Sequence, residues 1–366
     1  MGYQGEVVYI FAFDVAYEMI REPGPTLLGQ PVVEFEAEIS RHHPEQLLFY
    51  RPKMIRMPVV ERTGPHGTVP VRRTLKLYSV GAVSVTVRIP FDVERIEDLV
   101  RYHDIRFNTG TLAAEAKELA ESVRSELRSC YRRPLAKLLD EEAYTVFCIG
   151  SALKGPDGAA VQGVEWLKEQ RKGVSALLTQ EAGAKLSEQL VERVCGRSLS
   201  YYERDITVVD WDAALVVDDP RNFDETLHIM ELANVELGQL EAYDALLDSA
   251  LDRAYRDVGE ANWLGRGGVI NELREIRIDL ARLSDELENI TKFFGEWHLA
   301  RLYKQISECY HLDDWNRTID QKLRTLQELY ELLKHERENR WMLILEVMIV
   351  VLFVADIALI LLKQEY

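Results

Sequence analysis

The chain has 366 residues, of which 47% are hydrophobic and 29% are charged. This length favours two domains over one, and the composition excludes a disordered or fibrous chain. The formal net charge of −17 opposes non-specific binding of nucleic acid, so direct nucleic-acid binding is not expected. The four cysteines form no CxxC pair, which argues against a zinc knuckle, a redox motif or a disulfide framework.

Residues 1–217 mix strand and helix signals and are expected to form an α+β cytoplasmic domain. The alternating run from Val7 to Phe13 predicts a strand, and two further runs joined around Gly81 predict a β-hairpin. The stretch 111–140, rich in Ala, Glu and Leu, predicts a long helix that is kinked or restarted at Pro134. Residues 206–217 predict a final strand or pair of strands, and the topology stays open.

Residues 218–340 carry only helical patterns and are expected to form a helical hairpin or coiled-coil stalk. The run from Phe223 to Val258 predicts one long helix. A later seam of large apolar residues advances in alternating steps of three and four, which predicts a coiled-coil arm and a homo-oligomer. This seam consists of Leu273, Ile276, Leu280, Leu283, Leu287, Ile290, Phe294 and Trp297.

The segment 341–362 contains only two charged residues, Glu346 and Asp356. About 20 predominantly apolar residues suffice to cross a bilayer, so it predicts one C-terminal transmembrane helix followed by a tail at 363–366. A buried core helix is the alternative. More basic residues precede Trp341 than follow Leu362, which predicts a single-pass protein of the cell (inner) membrane with its N-terminal domain in the cytoplasm. The lipid bilayer is then a partner, and the two acids form an intramembrane pair.

A spaced pattern in the last fifth of the chain combines an aromatic pair, a Leu-x-x-Leu-Tyr sequence and two intramembrane acids. Its residues are Phe293, Phe294, Leu299, Leu302, Tyr303, Leu323, Leu345, Glu346 and Asp356. This pattern resembles the ending of the required-for-meiotic-nuclear-division family and makes a distant bacterial relative the expected identity. The resemblance implies a membrane anchor, no established enzymatic activity, and a tethering role with a ribosome-associated partner.

No motif in the sequence indicates an enzyme, a cofactor or a metal. His42, His43 and His66 lack a carboxylate or cysteine at ligand spacing. The glycine-rich stretch 265–268 lacks the spacing of a phosphate-binding loop, and neither GxSxG nor HExxH occurs. Four acids near Trp211 either bind a hard cation or cap the neighbouring elements. They are Asp210, Asp212, Asp218 and Asp219.

Residues 41–90 form a basic segment in an otherwise acidic chain, with nine Lys or Arg residues against two Glu. Such a segment suits an anionic partner such as lipid headgroups or RNA phosphates. The alternative is that the cations merely alternate with apolar residues on the solvent face of the hairpin. The candidate anion-binding residues are Arg51, Lys53, Arg56, Arg62, Arg72, Arg73 and Lys76.

Two function classes fit these patterns. The first is a non-enzymatic, tail-anchored scaffold or tether that recruits an unidentified protein partner to the membrane. The second is a subunit of an oligomeric membrane transport or sensing assembly that uses Glu346 and Asp356. One spanning segment makes a poor pore, so the second class requires oligomers or another protein.

Overall fold

The computed structural model describes residues 2–35, 52–65, 67–108, 110–135, 137–138, 141–150, 153, 160–181, 185–259, 278 and 297–364. Side chains are described for these residues except 257–259, 297, 330, 332–334, 336–338, 340 and 356–364. The chain divides into two compact units. The first combines Met1–Ala242 with Arg282–Trp315, and the second combines Tyr243–Ala281 with Asn316–Tyr366.

All strands of the described residues belong to the first unit. They are β1 (Tyr3–Asp14), β2 (Ala16–Met19), β3 (Thr26–Leu27), β4 (Gln30–Pro31), β5 (Val33–Glu34), β6 (Lys53–Arg56), β7 (Val60–Gly64), β8 (Gly67–Leu77), β9 (Ala82–Val93), β10 (Arg106–Phe107), β11 (Gly110–Thr111), β12 (Tyr131–Pro134), β13 (Glu142–Ile149), β14 (Ser198–Leu199), β15 (Ile206–Val209) and β16 (Ala213–Val217).

Six α-helices are described. They are α1 (Leu112–Glu126), α2 (Gly163–Thr179), α3 (Glu188–Gly196), α4 (Phe223–Gly259), α5 (Trp297–Cys309) and α6 (Leu312–Gln364). Short 3-10 helices occupy Ile96–Tyr102, Arg128–Cys130 and Pro220–Asn222.

A large mixed sheet is the centre of the first unit. Its strand order is β14-β15-β16-β13-β1-β9-β8-β6-β5, with β7 paired to β8 beside this path. The pair β13 and β16 is parallel, and the other pairs along this path are antiparallel. Gly81 lies in the turn between β8 and β9 with φ +81°, a conformation that glycine adopts at little cost. The predicted hairpin is therefore confirmed.

Successive side chains of the central strands point to opposite faces of the sheet, and both faces are buried. The odd-numbered residues of β1, such as Val7, Tyr9 and Phe11, join the main hydrophobic core together with residues of α1, α2 and α3. The other face carries Ala12 and Ala82, which pack with Leu232 of α4. Because helices cover both faces of the sheet, polar residues on the α4 face must find partners there.

The predicted long helix over 111–140 is wrong in its second half. Helix α1 ends at Glu126, and the chain then forms β12, in which Tyr131 pairs with Met19 and Pro134 with Ala16 of β2. Arg133 has φ +50°, which an α-helix does not accommodate. Pairing with a strand distant in sequence overrides the local helix propensity here.

The second unit is helical in its described residues. Its parts of α4 and α6 bury Leu247, Ala250, Ile319 and Leu326. The Lys322 ammonium lies 2.6 Å from a carboxylate oxygen of Asp244 and 2.6 Å from one of Asp248. An apolar seam and a bridging lysine thus hold the two helical segments together. The predicted division at 217 and 340 stays a prediction.

The predicted fold class is wrong in its C-terminal transmembrane helix. Among the described residues, no helix is both long enough and apolar enough to cross a bilayer. The segment is the end of α6, and its apolar stretch with described side chains runs from Trp341 to Ala355, with Glu346 inside it. A span needs about 20 predominantly apolar residues. The tail-anchored, single-pass class and the inner-membrane location therefore lose their basis.

Candidate functional site

A cavity of about 340 Å³ opens on the α4 face of the sheet, between β8, β6, β9 and the start of α4. We call it the cationic groove, because its lining includes Arg56, Arg72, Arg73, Lys76 and Arg88. Four of these five residues belong to the anion-binding set proposed from sequence. Successive side chains of a β-strand point to opposite faces of the sheet. Arg72, Thr74 and Lys76 occupy every second position of β8, so their side chains share the face on which the groove lies.

Two arginines flank a threonine hydroxyl at the groove. Arg56 of β6 is the direct cross-strand neighbour of Thr74 in β8, and Arg72 lies two residues from Thr74. Directly paired residues on one face have Cβ atoms about 4.5–5.5 Å apart, and diagonal neighbours remain within reach of long side chains. Arg56 is exposed, and no ion pair to it occurs within the described part of the chain. Two guanidinium groups and a hydroxyl can therefore converge on one ligand.

Arg72 and Arg88 share a carboxylate beside this trio. An oxygen of Glu6 lies 2.6 Å from Arg72 and the other lies 3.2 Å from Arg88. Arg88 also donates to Asp224 at the start of α4, at 2.5 Å. The Arg72 side chain remains 54% exposed despite its partner. Its guanidinium therefore keeps donors available for a ligand.

A buried ion pair closes the inner end of the groove. The Lys76 ammonium donates to Glu231 of α4, and Thr86 donates to the other oxygen of Glu231 at 3.2 Å. Burial opposes ionisation of Glu231, but attraction to Lys76 and contact with His228 outweigh it and lower its pKa to about 2. Burial and the Lys76 charge lower the pKa of His228 to about 4. Burial lowers the pKa of Lys76, and attraction to Glu231 opposes this effect, so the two groups form an ion pair beside a histidine that is neutral at pH 7.

Apolar side chains make up much of the remaining lining. They are Ile10, Phe35, Met54, Met57, Val59 and Leu227. The Phe35 ring is buried, and the Lys76 ammonium lies 3.7 Å from its centroid. At the outer side, Val59 is 58% exposed. The groove therefore joins a cationic surface to an apolar one.

The other members of the predicted basic set have separate roles. Lys53 pairs with Glu34 at 2.9 Å and with Glu22 at 3.3 Å, on the exposed side of the sheet edge. Arg62 lies 2.9 Å from Glu115, which also accepts a hydrogen bond from Arg73. The predicted Arg51 lies outside the described residues. Alternation in the hairpin thus divides the basic residues between the two faces of the sheet.

The candidate set from sequence lacks further residues that line the groove or pair with its lining residues. They are Glu6, Thr74, Thr86, Arg88, Asp224, His228 and Glu231. A signal for some of them exists. In β9, Ser84, Thr86 and Arg88 alternate with valines, so one face of a buried strand is polar. In α4, His228 and Glu231 lie one turn apart in an otherwise apolar stretch, which indicates a polar partner on the facing strands.

Three of the four acids near Trp211 act as local caps or as hydrogen-bond and ion-pair partners. Asp219 accepts a hydrogen bond from the Arg221 amide at 3.0 Å and caps the 3-10 helix Pro220–Asn222. Asp218 accepts from the Asn222 side chain at 2.9 Å. Asp210 pairs with Arg197 at 2.6 Å. Across the part of the chain that is described, no group of three or more His, Cys, Asp or Glu side chains could hold a metal ion.

The structure does not test the predictions made for most of the remaining residues. The coiled-coil residues from Leu273 to Phe294, and Phe293 with them, lie outside the described residues, as does the Asp356 side chain. Trp297 begins α5, and Leu323, Leu345 and Glu346 lie on α6. Leu299 and Leu302 are buried, and the Tyr303 hydroxyl donates to Glu236 of α4. Self-association through the seam stays a prediction.

Comparison with known proteins places the chain in a family. The model of the family described as "Uncharacterized protein MJ0711, N-terminal domain" matches residues 4–224. The chain therefore belongs to this family. The chain is also 25% identical over 251 residues to the uncharacterized protein MJ0711 of Methanocaldococcus jannaschii. These aligned residues make up 68% of this chain and 74% of that protein. No solved structure matches the chain.

The expected membership of the required-for-meiotic-nuclear-division family is wrong, because the matches identify the MJ0711 family instead. Three residues of the resembling pattern have an explanation in local packing. Leu299 and Leu302 lie on the buried side of α5, and Tyr303 is the partner of a buried carboxyl group. Apolar residues three or four apart are common in packed helices, so such a pattern identifies a family weakly.

Proposed function

We propose that the chain is a non-enzymatic binding protein whose cationic groove holds an oxyanion and so recruits an anionic partner. The observation that carries this proposal is that Arg56, Thr74 and Arg72 are neighbours on one face of the sheet and line an open cavity. Guanidinium groups form charge-assisted hydrogen bonds with phosphate and carboxylate oxygens, and these bonds are about twice as strong as neutral ones. Cavities that hold small ligands are typically about 300–1,000 Å³, which fits the size of the groove.

The electrostatics of the groove favour binding over proton transfer. A general acid or base works best with a pKa near the operating pH. The pKa values of Glu231 and His228 are about 2 and about 4, so both lie far below 7. Asp224 is the partner of Arg88 and so serves the ion-pair network. Neither Glu231 nor His228 therefore has the pKa that a general acid or base needs at neutral pH.

Calorimetric titration with inorganic phosphate at low ionic strength tests the proposal. We expect the full chain to bind phosphate, with an affinity that falls as salt is added. A hydrogen bond to a charged group contributes about 1.5–3 kcal/mol, so Arg56→Gln and Arg72→Gln should each weaken binding about 10- to 100-fold. Arg106→Gln is the matched control, because Arg106 is exposed, pairs with Asp104 and does not line the groove.

Two results would contradict the proposal. The first is an absence of phosphate binding at millimolar concentrations. The second is an equal loss of binding in Arg56→Gln and Arg106→Gln, which would mean that phosphate associates with exposed arginines in general. Circular dichroism of each variant would verify that the fold is retained.

A further inference from the structure

We propose that the ligand of the cationic groove is a phosphate monoester carried on an apolar body, rather than a free inorganic ion or a polyanion. This inference rests on the proposed function and adds the chemical class of the ligand. It depends on two features of the groove, the number of donors at Thr74 and the apolar side chains beside them.

The donor set fits a phosphate monoester better than a carboxylate. Arg56, Arg72 and Thr74 offer three separate side-chain donors at one place. A phosphate monoester has three terminal oxygens, and a carboxylate has two. A guanidinium group binds phosphate with two parallel hydrogen bonds, so the two arginines and the hydroxyl can satisfy the terminal oxygens together.

The charge balance limits how much negative charge the groove accepts. Four of the five lining cations have a carboxylate partner: Glu6 for Arg72, Glu115 for Arg73, Glu231 for Lys76 and Asp224 for Arg88. Arg56 has no carboxylate partner among the described residues. A groove with so small an excess of positive charge suits a single phosphate group. A polyanion would need a longer track of unpaired cations.

The apolar side chains of the lining indicate that the phosphate is attached to an apolar body. Val59 is 58% exposed and Met57 is half-buried, and both line the groove next to Arg56 along the chain. An inorganic anion leaves these side chains in contact with water. An apolar body attached to the phosphate removes them from water, and each methylene buried in this way tightens binding about fourfold. The groove should therefore bind a ligand with a phosphate group and an apolar body more tightly than it binds an inorganic anion.

The experiment compares hexyl phosphate with methyl phosphate, hexanoate and a single-stranded RNA decamer on the full chain by calorimetry. We expect hexyl phosphate to bind at least about tenfold more tightly than methyl phosphate, and more tightly than hexanoate or the RNA. Val59→Ser should weaken hexyl phosphate at least threefold and leave methyl phosphate unchanged. Val164→Ser is the matched control, since Val164 is exposed on α2 and outside the groove.

The outcomes separate this inference from the proposed function. Equal binding of hexyl and methyl phosphate, both lost in Arg56→Gln, would overturn the amphipathic ligand and leave anion binding intact. Tighter binding of hexanoate would overturn the assignment of a phosphate. Tighter binding of the RNA decamer, unaffected by Val59→Ser, would identify a polyanion instead. Binding of none of the probes would overturn both proposals.

Discussion

The buried Lys76–Glu231 pair should contribute strongly to the stability of the first unit. The Lys76 side chain is 8% exposed and that of Glu231 is 3% exposed, so neither charge is hydrated when its partner is removed. Breaking a buried pair on one side costs about 3–5 kcal/mol. The lowered pKa of Glu231 has the same sign, because attraction to Lys76 favours the carboxylate over the neutral acid. We expect Glu231→Gln to lower the free energy of unfolding by about 3 kcal/mol at pH 7.

Urea denaturation followed by tryptophan fluorescence measures this effect, because Trp166 is fully buried in the same unit. Glu188→Gln is the control. Glu188 pairs with Lys172 at 2.8 Å on the surface, where ion pairs contribute little to stability. Replacing both partners of the buried pair, as in Lys76→Met with Glu231→Leu, should restore most of the lost stability, because no unpaired charge remains. Equal urea midpoints for Glu231→Gln and Glu188→Gln would refute this reasoning.

Three further predictions concern other buried groups. His228 has a pKa of about 4 in the folded chain against an ordinary value of 6.5, so the stability that its neutral ring contributes above pH 6.5 should decrease by about 3 kcal/mol as pH falls toward 4. The stability of His228→Gln relative to wild type should therefore increase by that amount as pH falls, in pH-dependent urea denaturation. Burial raises the pKa of Glu236 to about 7, so the stability that its protonated carboxyl group contributes should be lost as pH rises from 4.5 to 7, and the stability of Glu236→Gln relative to wild type should increase by about 3 kcal/mol across that range. A Cβ on Gly5 would lie 1.9 Å from the Cys148 carbonyl oxygen, so Gly5→Ala should lower the melting temperature sharply, whereas Gly196→Ala, with open space around it, should not.

Each of these three predictions has a contradicting result. An unchanged pH slope in His228→Gln would show that the histidine stays hydrated in the folded chain. A constant difference between Glu236→Gln and wild type across pH 4.5 to 7 would show that the carboxyl ionises as it does in water. Equal melting temperatures for the two glycine variants would show that β1 and β13 separate easily at Gly5.

Local patterns predicted those parts of the fold that depend on neighbours in sequence. The alternation in Val7 to Phe13 lies inside β1, the runs around Gly81 form the β8–β9 hairpin, and the run from Phe223 lies in α4. The strand β12 was missed because its partner β2 is more than 100 residues away in the chain. Helix propensity in 127–134 carries no information about that distant partner, so the sequence alone favoured a helix.

The candidate site was partly visible from sequence for the same reason. Arg72 and Lys76 stood out because they are close together in one basic strand, and Arg56 lies on the strand that pairs with it. Glu231 was missed because an acid on a helix is ordinarily solvated, and its pairing with Lys76 exists only once α4 covers the sheet. The segment 341–362 shows the opposite error, because its apolar composition and basic flank predict a membrane span where no described helix is long and apolar enough for one.

The most direct test of the account is a crystal structure of the full chain with 6-bromohexyl phosphate, in which the anomalous signal of bromine locates the apolar end. The account predicts the phosphate within hydrogen-bonding distance of the Arg56 and Arg72 guanidinium groups and the Thr74 hydroxyl, with the bromine beside Val59. Phosphate density elsewhere on the surface, together with an empty cationic groove at a saturating concentration, would contradict it.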